Sequence, residues 1–382
     1  MDATKYDSAS DSGLEVDPRV ARVSESYQFH QIEIDFFQLE DPDANTYFDT
    51  GFRTTYSASL TSSIEQYIYE NGRRYHTYYG EEKNPMPTDE QEQERLDIHH
   101  EILSEILEGE LYLAPVSNPR KVLDVGTGTG IWAIDMADLH PEAEVTGTDL
   151  SPIQPTWVPP NLRFEVDDAE KEWPWDEDYF DFVHFRNLAQ SISDWDYMMS
   201  QCYRCTEPGG YVELAELGFE LFSDDDTNGP AFEKFIKLLA EACEKIGRPI
   251  ATEEILRERL AKVGFQDIQI KSFKQPFGPW PKDQRMKRIG AMVMMTAEGG
   301  TQAYGMALMT RTLGMSAEEA STLCREAAAD VANKNYHSYT PYYVAWGRKP
   351  VATQQVKTSE EDNAMSEEEL LGEDDLTGEG NE

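Results

Sequence analysis

The run VLDVGTGTGIW at residues 122–132 constrains this chain more than any other. An apolar strand pattern ends in glycines at 126, 128 and 130, and these lead straight into a helical stretch, residues 131–140. Glycines at such a turn let a ligand approach the backbone, and the helix N-terminus offers it free N–H groups. Further β-type runs lie at 121–125, 144–149, 162–166, 181–186 and 210–215. Helical or irregular stretches separate them. Strands alternating with crossovers imply an α/β fold, a doubly wound and mainly parallel sheet covered on both faces.

The loop is selective about what it holds. Dinucleotide sites use a similar turn, but their third glycine follows the second by three residues, not two. Asp124 also sits in the strand end beside the loop. A carboxylate there opposes a diphosphate and pairs with a cationic amine. S-adenosylmethionine carries an ammonium and a sulfonium and no phosphate, so it fits. Asp149 closes the second strand, 19 residues after Gly130, where an acidic side chain bonds ribose hydroxyls. Asp167, Asp168 and Ala169 end the third strand, where a carboxylate can accept from an adenine amino group. Any one of these is ordinary in a turn. Together, with Asp124 and Thr127 in the glycine loop, they make a nucleoside site.

The rest of the chain surrounds this unit. Residues 67–80 (YIYENGRRYHTYYG) are aromatic and basic. Thr88 and Gln91 have capping-box spacing ahead of Leu96, His100, Leu103 and Leu107, which recur on one helical face. Helices dominate from 230, with a block at 283–332 that breaks around Gly299-Gly300; Ser316 and Glu319 again have capping-box spacing. Two late β-type runs, 266–273 and 342–348, are placed to extend the sheet. The domains expected are a disordered acidic region 1–44, an aromatic and helical extension 45–115, a catalytic domain 116–350 capped by 283–332, and a disordered acidic tail 351–382.

The strings RRYHTYYG, PTDEQEQERLDIHH, GTGTGIWAIDMAD, TDLSPIQPTWVPPNLRFEVDDAE, FVHFRNLAQSISDW and EPGGYVELAE together resemble the fungal LaeA-like group of Rossmann-type S-adenosylmethionine-dependent methyltransferases. The resemblance implies that Asp124, Gly126, Gly128 and Gly130 match the methionine-binding loop, Asp149 the ribose position, and Asp168-Ala169 the adenine position. It also implies a role in secondary metabolism and development, with velvet-type proteins as partners. One departure is local. The segment SPIQPTWVPPN has four prolines and cannot be a regular crossover helix; its Trp157 is expected in the core, the alternative being a place near the adenine or over the sheet edge.

Charge narrows the partners. The chain has 33 basic and 73 acidic residues, a net of −40. Residues 1–44 contribute −8 and 351–382 contribute −10, so the middle keeps −22. Such a surface repels phosphate backbones and anionic bilayers, so neither direct nucleic-acid binding nor a membrane partner is expected. No apolar run approaches the roughly 20 residues of a membrane span, and the polar N-terminus has no signal-peptide core. The expectation is an intracellular protein of cytoplasm or nucleus. Four cysteines suit no disulfide scaffold, and Cys202-x-x-Cys205 lacks the second pair a zinc site needs, so no metal is expected.

Methyl transfer from a sulfonium is an in-line displacement, accelerated by alignment and exclusion of water. His184 and Arg186, at the end of the fourth strand, are the candidates to take a proton from a hydroxyl acceptor or orient an anionic one; the other reading of His184 is a satisfied structural histidine at a strand end. His76, Tyr78 and Tyr79 are candidates for the mouth of the acceptor pocket. The acceptor is a protein or a small molecule. Three readings stand: a regulatory methyltransferase acting through protein partners, a biosynthetic methyltransferase of a small metabolite, and a cofactor-binding but catalytically idle interaction module.

Overall fold

The structure, a computed structural model, describes residues 14–18, 67–77, 80 and 84–351. The chain divides into two units at Pro350 and Val351, and every element below belongs to the first. Nearly all of 1–44 and 351–382, for which disorder is expected, lies outside the described residues, as do Tyr78 and Tyr79.

Val122 and Leu123 are both fully buried, yet they pack into different hydrophobic clusters. Alternation along β3 (Lys121–Val125) sends successive side chains to opposite faces of the sheet. Around it, β4 (Glu144–Asp149), β5 (Leu162–Val166), β6 (Phe180–Arg186), β7 (Thr206–Leu217), β8 (Gln266–Pro276) and β9 (Tyr339–Arg348) complete seven strands in the order β5-β4-β3-β6-β7-β9-β8. The first five are parallel; β9 inserts antiparallel between β7 and β8. The two late β-type runs therefore do extend the sheet.

On one face lie α1 (Glu90–Ile106), α2 (Ile131–Leu139), α4 (Pro230–Lys245), α6 (Gln284–Ala307) and α7 (Ala317–Ala332). On the other lie α3 (Trp195–Cys205) and α5 (Glu253–Val263). Residues 150–161, with their four prolines, form no helix. Trp157 in that segment, which leads into the edge strand β5, is not in the core: it is 74% exposed.

Other expectations need correcting. The aromatic segment holds a hairpin, β1 (Tyr67–Glu70) and β2 (Arg73–His76). Its turn is Asn71-Gly72, both at positive φ, and that pair is itself a hairpin signal. The cap of α1 is Asp89 rather than Thr88. Two hydrogen bonds from Arg73 fix the Asp89 carboxylate, which accepts from the Glu92 N–H at 3.0 Å. Thr88 is drawn away to the Arg74 carbonyl. Helix α6 passes unbroken through Gly299-Gly300, where a Cβ at either position would stand 3.9 Å from Cδ of Arg95 on α1. That is ordinary contact, so the glycines neither break the helix nor are needed for its packing. The interruption comes later, at a π-turn over Leu308–Thr312 and at Gly314. The Ser316–Glu319 capping box forms as expected.

All four cysteines are buried and free. Burial pushes the Cys243 thiol up to about 12 and Cys202 further, which makes them poor nucleophiles.

Candidate cofactor and acceptor site

Asp124 ends β3 opposite His184 in the parallel register of β6. Nδ1 of His184 donates to one carboxylate oxygen at 2.8 Å, and the Thr127 hydroxyl donates to the other at 2.6 Å. The His184 ring is 1% exposed and stacks on Trp132 with centroids 3.7 Å apart. Burial lowers its pKa, so the ring is neutral. His184 does not line the main cavity at the glycine loop. It orients Asp124 from below, and the geometry offers no support for it as a base.

The glycine loop closes over that carboxylate. Gly126, Gly128 and Gly130 all have positive φ. A Cβ at Gly126 would come 2.4 Å from Leu188, and one at Gly130 would come 2.3 Å from Phe164. Gly130 starts α2 and is held by packing rather than by a place in the cavity wall. At Gly128 a Cβ would meet only Cδ1 of Leu96, at an ordinary contact distance of 3.7 Å. Asp149 accepts from the N–H groups of Gly128 and Ser151, each at 2.9 Å. Burial pushes its carboxyl up to about 6.

A cavity of about 130 Å³ sits on this loop, lined by Asp124, Gly126, Thr127, Gly128, Asp149 and Arg186 among others. A second, of about 60 Å³, adjoins it through Gly126, Asp149 and Leu188 and reaches Asp167, Asp168 and Ala169. The predicted loop, ribose and adenine positions thus come together along one trough. Arg186 donates from Nη1 to Nδ1 of His100 at 3.1 Å, and His100 contacts Asp135 through Nε2 at 2.8 Å. Because a guanidinium only donates, the His100 ring proton sits on Nε2. His76 is buried in the hairpin, its ring edge-on to Tyr67, and lines none of these cavities.

The trough fits S-adenosylmethionine on the residues alone. Asp124 offers a carboxylate for the ammonium and Asp149 one for the ribose, and only the Leu96 methyl end approaches the Gly128 Cβ position, at 3.7 Å. Gln190, 4% exposed on the cavity wall, has both amide atoms without a hydrogen-bond partner. A buried amide in that state calls for a partner.

A third cavity, of about 80 Å³, lies behind the first and shares Arg95, His99 and Tyr304 with it. Arg95 is paired to Glu92 at 2.7 Å and lies 5.1 Å over the Tyr304 ring. His99 faces Asn187, whose Oδ1 accepts from the Leu217 N–H at 3.2 Å. The amide is thereby oriented so that Nδ2 donates to Nε2 of His99 at 2.9 Å, which places the proton of the neutral ring on Nδ1. Burial, Arg95 and Arg186 hold the His99 pKa well below its usual value. Arg95, His99, Asn187, Gln190 and Tyr304 were not singled out as site residues from the sequence. Their only trace there was the motif strings containing four of them, and nothing local ties Tyr304 to the site.

Residues 93–270 match the family model for a methyltransferase domain. Methyltransferase pytC of Aspergillus terreus is 40% identical over 296 residues, covering 76% of this chain and 91% of that protein. Secondary metabolism regulator LAE1 of Cochliobolus heterostrophus is 37% identical over 290 residues, covering 74% and 94%. This chain is a LaeA-like S-adenosylmethionine-dependent methyltransferase. Secondary metabolism regulator laeA of Aspergillus fumigatus, 33% identical over 319 residues, covers 82% of the chain and 85% of its own length. The cofactor of this LaeA-like chain is S-adenosylmethionine. Among the described residues no helix is long and apolar enough to cross a membrane.

Proposed function

We propose that this LaeA-like enzyme methylates a small, mostly apolar metabolite seated in the 80 Å³ cavity. One observation carries the reading: that cavity and the one on the glycine loop share Arg95, His99 and Tyr304. An acceptor on one side of these residues therefore meets a methyl group on the other. When bound, the cofactor supplies an electrophilic methyl on a sulfonium. The chain's residues do the positioning. Asp124, held by His184 and Thr127, takes the ammonium; Asp149 takes the ribose; Arg186 faces the same cavity and is available to a carboxylate. The Glu92–Arg95 pair and Tyr304 wall the junction against water, which is where alignment earns its rate.

A second reading has its own support. LAE1 and laeA are named as regulators of secondary metabolism, and a regulatory chain of this family would act through protein partners, the velvet-type class among them. The experiment that separates the two uses purified enzyme, methyl-labelled S-adenosylmethionine and an extract of a strain lacking the protein. A labelled small compound, lost with an Ala297→Trp variant that fills the cavity, supports the metabolite reading. Label carried only by protein overturns it.

A further inference from the structure

Within the 80 Å³ cavity one polar group stands apart. The wall is dominated by Phe219, Phe232, Phe235, Phe277 and Val293. Thr296, Thr301 and Thr340 also line it, but their hydroxyls already donate to backbone carbonyls: Thr296 to Val293 at 3.1 Å, Thr301 to Cys324 at 3.0 Å, and Thr340 to Glu220 at 3.1 Å and to Gly218. Gln275, near the end of β8, is 3% exposed, and its Oε1 has no hydrogen-bond partner. A buried acceptor left unpaired is costly, and in native structures such groups have a reason.

We propose that Gln275 is the specificity determinant of the acceptor pocket: it receives an O–H or N–H donor on the otherwise apolar body of the acceptor. The inference rests on the reading of this cavity as the acceptor site. Gln275 lines this cavity and not the one on the glycine loop, so its role is recognition at the end away from the methyl group. Size limits the ligand too. A cavity of roughly 150 Å³ takes up benzene, and this one is about 80 Å³. It holds one edge of a ring or a short alkyl group, with the remainder of the molecule at the mouth formed by Arg95, His99 and Tyr304. The acceptor class is therefore a phenol-like or indole-like compound, or a hydroxylated alkyl compound, entering donor end first.

The test uses phenol and toluene, matched in shape and differing in the donor. Each is titrated by ligand-observed NMR against the full chain saturated with S-adenosylhomocysteine, in wild type, Gln275→Leu and Gln275→Met. The quantity read is the ratio of the two dissociation constants, which cancels the general preference of an apolar wall for toluene. Losing the hydrogen bond should move that ratio about tenfold towards toluene in both variants. Either variant suffices if the other does not fold. Val293→Trp, which fills the cavity, should exclude both probes; probes still bound there would lie elsewhere and overturn the proposal. A ratio changed less than about twofold removes Gln275 from recognition while leaving the cavity as the acceptor site. If neither probe binds wild type that does bind S-adenosylhomocysteine, the acceptor reading of the cavity fails, and the role of Gln275 with it.

Discussion

Nδ1 of His184 lies 2.8 Å from Oδ1 of Asp124, across neighbouring strands and sealed beneath the glycine loop. The ring stacks on Trp132 instead of facing the cavity. On the proposed reading, in which Asp124 takes the cofactor ammonium, this arrangement makes His184 a positioning residue for that carboxylate. His184→Phe keeps an aromatic ring against Trp132 and removes the donor. Affinity for S-adenosylmethionine should fall about tenfold, in keeping with one lost charge-assisted hydrogen bond. At saturating cofactor, kcat and its pH profile should be nearly unchanged. A collapse of kcat with loss of one limb of the profile would instead mark His184 as the base.

Gly128 and Gly130 separate binding from folding. Alanine at Gly130 needs both a left-handed backbone and 2.3 Å from the Phe164 ring, so the chain must shift. Gly130→Ala should lower the thermal midpoint by many degrees. Gly128→Ala meets nothing closer than 3.7 Å and pays mainly the left-handed conformation, roughly 1–2 kcal/mol. Its midpoint should fall only a few degrees, yet its methyl projects where the cofactor must approach. Calorimetry with S-adenosylmethionine should show at least a tenfold loss for Gly128→Ala; unchanged affinity would place the cofactor elsewhere.

The contrast between these two glycines shows what the sequence made legible. The strand, loop and helix, and the carboxylates Asp124, Asp149 and Asp167-Asp168, are local: each sits at a strand end, and strand ends can be read from short runs. The 80 Å³ cavity is not local. Arg95, Phe232, Gln275, Tyr304 and Thr340 come from α1, α4, β8, α6 and β9, and only the β8–β9 register and the packing of the helices bring them together. The same reason explains His184. Its strand was legible, but its face of the sheet and its partners Asp124 and Trp132 depend on register with β3 and on the docking of α2. Asp89 displaced Thr88 as a cap because Arg73 of a distant hairpin holds it, which no helix signal contains.

Buried carboxylates should give stability an unusual pH dependence. Oε2 of Glu213 accepts from Leu113 and Ala114, and Glu216 accepts from Leu188 and Ala189 beside the cofactor trough. Burial pushes both up to about 7 from an ordinary 4.5. Between these values the folded chain binds more protons than the unfolded one, so each group lowers stability as pH rises from 4.5 to 7. The loss is about 3 kcal/mol per group when complete. His99 and His184, whose pKa values are lowered in the fold, work the other way and add stability as pH rises towards 6.5. The carboxylate part is therefore read as a difference. Stability of Glu213→Gln relative to wild type should improve steadily from pH 4.5 to 7 and then level, and likewise for Glu216→Gln. A difference flat across that window would show that these carboxylates titrate normally.

The last prediction concerns closure over the methyl group. Arg311, in the π-turn after α6, donates from Nε to Glu70 of β1 at 2.8 Å and lies 4.9 Å over the Tyr75 ring of β2. The hairpin in turn grips α1 through Arg73 and Asp89, and α1 presents Glu92 and Arg95 to the junction beside Tyr304 of α6. Hairpin, α1 and α6 thus form a ring of contacts around the mouth between the two cavities. Cofactor bound at one side should tighten the whole ring. Hydrogen exchange should slow in residues 67–76 and 284–312, as well as in the glycine loop, when S-adenosylhomocysteine binds. Arg311→Ala should speed exchange in 67–76 without cofactor and raise KM for the acceptor severalfold. Its affinity for S-adenosylhomocysteine should stay within about twofold of wild type, because Arg311 touches neither trough cavity. Protection confined to residues 122–170 would mean that the hairpin and α6 do not close the site. The water shield that an exposed sulfonium needs would then have to come from a second protein, and the regulatory reading would gain at the expense of the metabolite one.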